Sequence, residues 1–520
     1  MVLLFGFQAG PDAGQGVVGG RVWAGRGTSG LGNMWRTDIF RDRNDLTRLS
    51  SSLLGVILAQ TLKIVIACVA FTASSSASAE QAITGSASKV SSETRRVEVS
   101  IDLRVKEDTS ISTSEAIIIN PSGPDAERMG QKDGWPVCVQ ALTKIECRVG
   151  TWSANERVAA AHPVSRSSNP MQLNYMRDPP KITYKWGFSR RTVDEYLSDT
   201  KVTGLLIVKD GRVVLERYQY GRSPEMRFRS FSMAKTFTAM LVGIAHEKGY
   251  IKSLDDKVLN YWPEIASSSY GQTTVRNLLR MGSGVPFREL YTWTPDDDIW
   301  VWGRLLYSGE NRGQPEKVTQ YLNSKNQREV DEGTRFKYAT IETEILGRVL
   351  HRATGKSVAK LTEEWLWHPM GSESDSYWLI ALTDNVEATG GGFNATLRDY
   401  GRFGVLLAND GKRDDNQIIP KEFLLDATDP QRLPAAFRPK IATGYYGYGY
   451  QTWILPMRER TFALRGIHGQ LIFVQPSSKI VMVQTAVFDG ASGRQDSASW
   501  NRALDLWRGV LQGLGGNSQE

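Results

Sequence analysis

Apolar and polar positions divide the chain into a strand-rich flank, a helical middle and a second strand-rich flank. Residues 97–105 alternate Val-Glu-Val-Ser-Ile-Asp-Leu-Arg-Val, a period of two that predicts a half-buried strand. Residues 190–197 read as a short helix. Apolar runs at 203–208 and 212–218 are separated by Lys209-Asp210-Gly211, whose Asp-Gly predicts a hairpin turn. Over 231–249, Met240, Leu241, Ile244 and Ala245 recur at helical spacing, and Lys248-Gly249 supplies a stop. Residues 250–440 read as mainly helical. Strands return at 447–454, 462–466, 471–475 and 479–488, and a last helix covers 497–514. First and last strands meeting across a helical insert predict an α+β fold, a central antiparallel sheet flanked by helices.

The first 79 residues do not follow this pattern. Arg36, Arg41, Arg43 and Arg48 precede an apolar stretch from Leu53 to Phe71, and Ala77-Ser78-Ala79 follows before Glu80. A basic region, an apolar region and a small-residue site together predict a secretory leader, with Met34 as an alternative start. Lys63 interrupts the run well short of the roughly 20 residues a membrane span needs, so a retained anchor is the lesser alternative. Export predicts a periplasmic or secreted protein. There Cys138 and Cys147 are close enough in sequence to form a local disulfide.

Composition narrows the chemistry. The chain has 520 residues and a net charge of +7, of which +3 belongs to the leader; so dilute a charge does not argue for nucleic acid. Five histidines and three cysteines contain no His-x-x-x-His or Cys-x-x-Cys pair, which disfavours a zinc site. Ser232-Met233-Ala234-Lys235 opens the first long helix, and positions i and i+3 share a helix face. A lysine amine held in a dry pocket beside a serine hydroxyl can act as its base. The spacing alone is weak evidence, since Ser86-Ala87-Ser88-Lys89 repeats it in a low-complexity segment.

The surrounding residues carry more. Phe231-Ser232-Met233-Ala234-Lys235-Thr236-Phe237-Thr238, the runs 246–258 and 277–285, and Gly466-Ile467-His468-Gly469-Gln470 resemble the serine β-lactamase and penicillin-binding family. Over about 176–515 they look closest to its 6-aminohexanoate-dimer hydrolase and esterase-like branch. The resemblance implies a β-lactamase/transpeptidase-like fold with a large, mainly helical insert, and a segment at 80–175 of no assigned role. It implies a serine hydrolase that cleaves a linear amide or ester through an acyl-enzyme, without cofactor. Ser232 would be the nucleophile, Lys235 its base and Tyr338 the proton-transfer partner. The backbone N–H of Ile467 would join that of Ser232 in an oxyanion hole, with Gly466 or His468 one register away. Tyr291 would close over the substrate, and His468 would line the cleft. Thr340 and Leu464-Arg465-Gly466 stand where lactamases carry Asn and Lys-Thr-Gly. That departure weighs against the alternatives of a penicillin-recognising β-lactamase or a D-Ala-D-Ala carboxypeptidase. A non-catalytic cell-envelope binding module is the third reading. The partner expected is a small-molecule substrate, with no nucleic acid and no membrane beyond the leader.

Overall fold

The computed structural model describes residues 117–520. The strand expected at 97–105, the second Ser-x-x-Lys and the leader lie outside them.

Eight strands form the main sheet, in the order Ile117–Ile119, Arg212–Tyr218, Val202–Lys209, Ile480–Ala486, Gln470–Gln475, Phe462–Gly466, Trp453–Ile454 and Gly447–Tyr448. All pairings are antiparallel except the edge strand Ile117–Ile119, which runs parallel to its neighbour. Val483 sits opposite Leu206 and Met482 opposite Ile207, so first and last strands do meet at the centre. Successive side chains point to opposite faces. Leu205, Ile207, Ile480 and Met482 join Trp507 of the terminal helix Ser497–Gly513. Leu206, Val208, Val481 and Val483 join Phe403 of the helix Leu397–Ala408 and the helical region beyond. With both faces covered, every position of Val202–Val208 is buried, which explains its unbroken apolar run.

A second sheet was not anticipated. Ala161–Val164, Ser376–Leu379, Phe393–Thr396 and Arg227–Arg229 lie side by side in that order. Residues 117–175 therefore contribute a strand to each sheet, and Cys138 and Cys147 within them are joined by the expected disulfide. The helix expected at 190–197 starts later. Ser189–Thr192 pairs as a strand with Thr183–Trp186, and the helix occupies Val193–Asp199. Thr192 and Glu195 form a reciprocal capping box that sets this start, a signal the apolar spacing does not carry.

Beside the sheet, the fully buried Glu216 carboxylate accepts hydrogen bonds from Tyr175 (2.5 Å), Tyr218 (2.7 Å) and Arg398 Nε (3.0 Å). Replacing Arg398 with Met leaves that carboxylate without its cation. We expect a loss of about 3 kcal/mol in denaturant unfolding, with no change in slope.

Candidate active site

Strand Arg227–Arg229 of the second sheet runs straight into the turn Phe231–Met233, which continues as the helix Ala234–Glu247. Phe231 takes φ 44°, an uncommon value for a bulky residue and a sign of a locally constrained backbone. From the main sheet, Phe462–Gly466 comes up against this turn. A Cβ at Gly466 would stand 2.3 Å from the Ser230 carbonyl oxygen, so only glycine permits the approach. Ser232 and Ile467 thus line one cleft from two different sheets.

Lys235 Nζ lies 3.0 Å from Ser232 Oγ and donates to the Gly390 carbonyl at 2.6 Å. The lysine is 1% exposed, and burial pulls its amine down to about 8 against the opposing pull of Glu289 and Glu344. Tyr338, in the loop before the helix Thr340–Thr354, lines the same cleft as Ser232, and its ring lies 5.2 Å from Lys235 Nζ. Trp453 stacks on that ring at 5.4 Å. Burial pushes the Tyr338 phenol well above its ordinary value, so it stays protonated.

Tyr291 lines the cleft with Ser232, and its loop is organised by a buried carboxylate: Asp297 accepts from the backbone N–H of Leu290 at 3.0 Å and Thr292 at 2.9 Å. Ser232, Lys235, Tyr338, Ile467 and Tyr291 are therefore brought together. His468 is not, and this corrects the expectation that it lines the cleft. Its left-handed backbone (φ 61°) and the hydrogen bond from Nδ1 to the Phe488 carbonyl (2.8 Å) hold the ring inside the protein, 2% exposed. Burial, with Arg148 nearby, pulls the imidazole down to about 3, so it is neutral.

The cleft has two lobes meeting at Ser232. The larger, about 780 Å³, is walled by Tyr338, Tyr446, Trp453 and Arg465; the smaller, about 110 Å³, by Leu142, Ile299, Trp302 and Tyr307.

A family model described as Beta-lactamase matches residues 190–504. The chain belongs to the β-lactamase family. The 6-aminohexanoate-dimer hydrolase of Paenarthrobacter ureafaciens is 22% identical over 333 residues, 62% of this chain and 79% of that one. Beta-lactamase-like protein 2 of Dictyostelium discoideum is 29% identical over 160 residues, 30% of this chain and 27% of that one. A solved structure of a candidate 6-aminohexanoate-dimer hydrolase from Bacillus anthracis superposes with a TM-score of 0.62 at 23% identity, covering 72% of this chain and 96% of that one. The chain is thus a member of a hydrolase family built on the β-lactamase fold.

Within this β-lactamase-family cleft, sequence reasoning missed Glu289. Its carboxylate accepts from Tyr291 OH at 2.5 Å and from Thr340 N and Oγ1, both at 2.7 Å, so it ties the tyrosine loop to the Tyr338 loop. The position two residues before Tyr291 was its only signal. Glu344, also missed, accepts the N–H of Gly390 at 2.8 Å, the residue whose carbonyl holds Lys235.

A base role for Lys235 would require the neutral amine, and under it kcat/KM should rise with pH through about 8 and level off above it. Glu289 favours the charged amine. Glu289→Gln should therefore move this limb to lower pH, read from a kcat/KM profile on an activated ester; a limb that stays in place would separate it from Lys235.

Proposed function

We propose that this protein is a serine hydrolase that cleaves a linear amide or ester through an acyl-enzyme on Ser232. The observation carrying this reading is the Lys235 amine 3.0 Å from the Ser232 hydroxyl, buried and lowered to about 8. Neutral Lys235 takes the hydroxyl proton as Ser232 Oγ attacks the carbonyl carbon. The developing oxyanion is received by the backbone N–H groups of Ser232 and Ile467, each such donor being worth roughly 3–4 kcal/mol. Collapse breaks the bond to the leaving amine or alcohol. Tyr338, held as a phenol, gives it a proton and is replenished from Lys235; water then repeats the cycle in reverse on the acyl-enzyme. Buried as it is, Tyr338 suits the role of relay better than that of a phenolate base.

The similarity to 6-aminohexanoate-dimer hydrolase supports a linear amide or an ester over a lactam. So does the strand that precedes Ile467. Leu464 points into the core there, and no lysine reaches the cleft from this strand. The Cys138–Cys147 disulfide supports export to an oxidising compartment.

The test is a panel of p-nitrophenyl acetate, a linear amide and nitrocefin against the wild type and Ser232→Ala. Ester or amide turnover should fall by about 10⁴-fold or more in the variant, with nitrocefin the poorest wild-type substrate. Fast nitrocefin hydrolysis without esterase activity would place the protein among the penicillin-recognising enzymes instead.

A further inference from the structure

Residues 117–175 have no place in the mechanism above, yet one of their side chains reaches its centre. Trp152 is 4% exposed. Its ring meets that of Phe231 edge-on at 4.9 Å and lies 4.9 Å from the His468 imidazole. Phe231 immediately precedes Ser232, and His468 immediately follows Ile467. The same ring therefore touches the neighbours of both residues assigned to the oxyanion hole, one on the nucleophile turn and one on the main sheet. Both neighbours hold left-handed backbone, φ 44° and 61°, without being glycine. Such conformations are strained for side chains of this size and persist only where packing imposes them. Trp152 also reaches the second sheet, its carbonyl accepting the Arg229 N–H at 2.8 Å.

The tryptophan is itself held in place. Thr151 Oγ1 accepts from the Cys138 N–H at 2.9 Å and donates to the Cys138 carbonyl at 3.1 Å, and the disulfide joins Cys138 to Cys147. Arg148 donates to the carbonyls of Leu142 (3.2 Å), Phe488 (3.1 Å) and Asp489 (3.2 Å), linking the disulfide loop to the segment after the last sheet strand. Leu142, in that loop, walls the smaller lobe beside Ser232.

We propose that Trp152 is a positioning residue for the oxyanion hole, wedging Phe231 and His468 so that the Ser232 and Ile467 N–H groups converge, and that residues 138–152 are part of the catalytic unit. This rests on the reading of Ser232 as nucleophile. A misplacement of about 1 Å at a reacting centre costs about a hundredfold in rate, whereas substrate binding across the rest of the cleft is untouched.

The experiment compares wild type, Trp152→Ala and Trp152→Phe in the full chain. It measures kcat and KM on an activated ester, and inhibition by a phenylboronic acid, whose tetrahedral adduct on serine places an oxygen where the oxyanion sits. For Trp152→Ala we expect kcat to fall by about thirtyfold or more, boronate inhibition to weaken in parallel, and KM to stay within about twofold. Trp152→Phe, which keeps an aromatic wedge, should recover most of kcat. A folded Trp152→Ala with kcat and boronate inhibition within threefold of wild type overturns the proposal. So does a loss confined to KM. Should Trp152→Ala fail to fold, Trp152→Leu decides by the same two readouts. Labelling of wild-type Ser232 by a fluorophosphonate separates the failures. Without an adduct the nucleophile reading falls and this inference with it. With an adduct and indifferent Trp152 variants, only the inference falls.

Discussion

The site depends on a lysine amine kept out of water. An ammonium in bulk solvent holds its proton too tightly to serve as a base at neutral pH. Burial lowers that affinity, because the charged form loses its hydration. Lys235 can afford no close carboxylate, because a paired anion would restore the proton. Glu344 accordingly binds the Gly390 N–H and Arg348, and Glu289 binds Thr340 and Tyr291. Both act on the amine only through space.

Such a pocket cannot be made by one element. The turn Phe231–Met233 supplies the serine and the helix Ala234–Glu247 that continues it supplies the lysine, the loop before Thr340–Thr354 supplies the tyrosine, and the end of a main-sheet strand supplies Ile467. Their meeting is enforced by close contacts that leave no room for error: Gly466 against the Ser230 carbonyl, Trp453 stacked on Tyr338, and Phe231 fixed in left-handed backbone. The segment 117–175 closes the same junction from a third direction through Trp152, which lies against both Phe231 and His468.

Much of this was legible beforehand. The central strands and the terminal helix follow from unbroken apolar runs and helical spacing, because burial on two faces or one stripe leaves a period in the sequence. Ser232 and Lys235 are readable for the same reason, since an i, i+3 spacing on a helix is local. The capping box is local too, Thr192 standing three residues from Glu195, but it leaves no mark in the apolar pattern.

The chain alone determined its elements, its family resemblance and the residue types from which a hydrolytic site can be assembled, since these rest on local spacing. Tertiary structure decided the rest. It turned His468 inward through one backbone angle and one carbonyl hydrogen bond, assigned Glu289 to two loops at once, and set Trp152 beside residues about 80 and 316 positions away. Contacts over such separations leave no period in a sequence, because the packing that selects them exists only when the sheets have met.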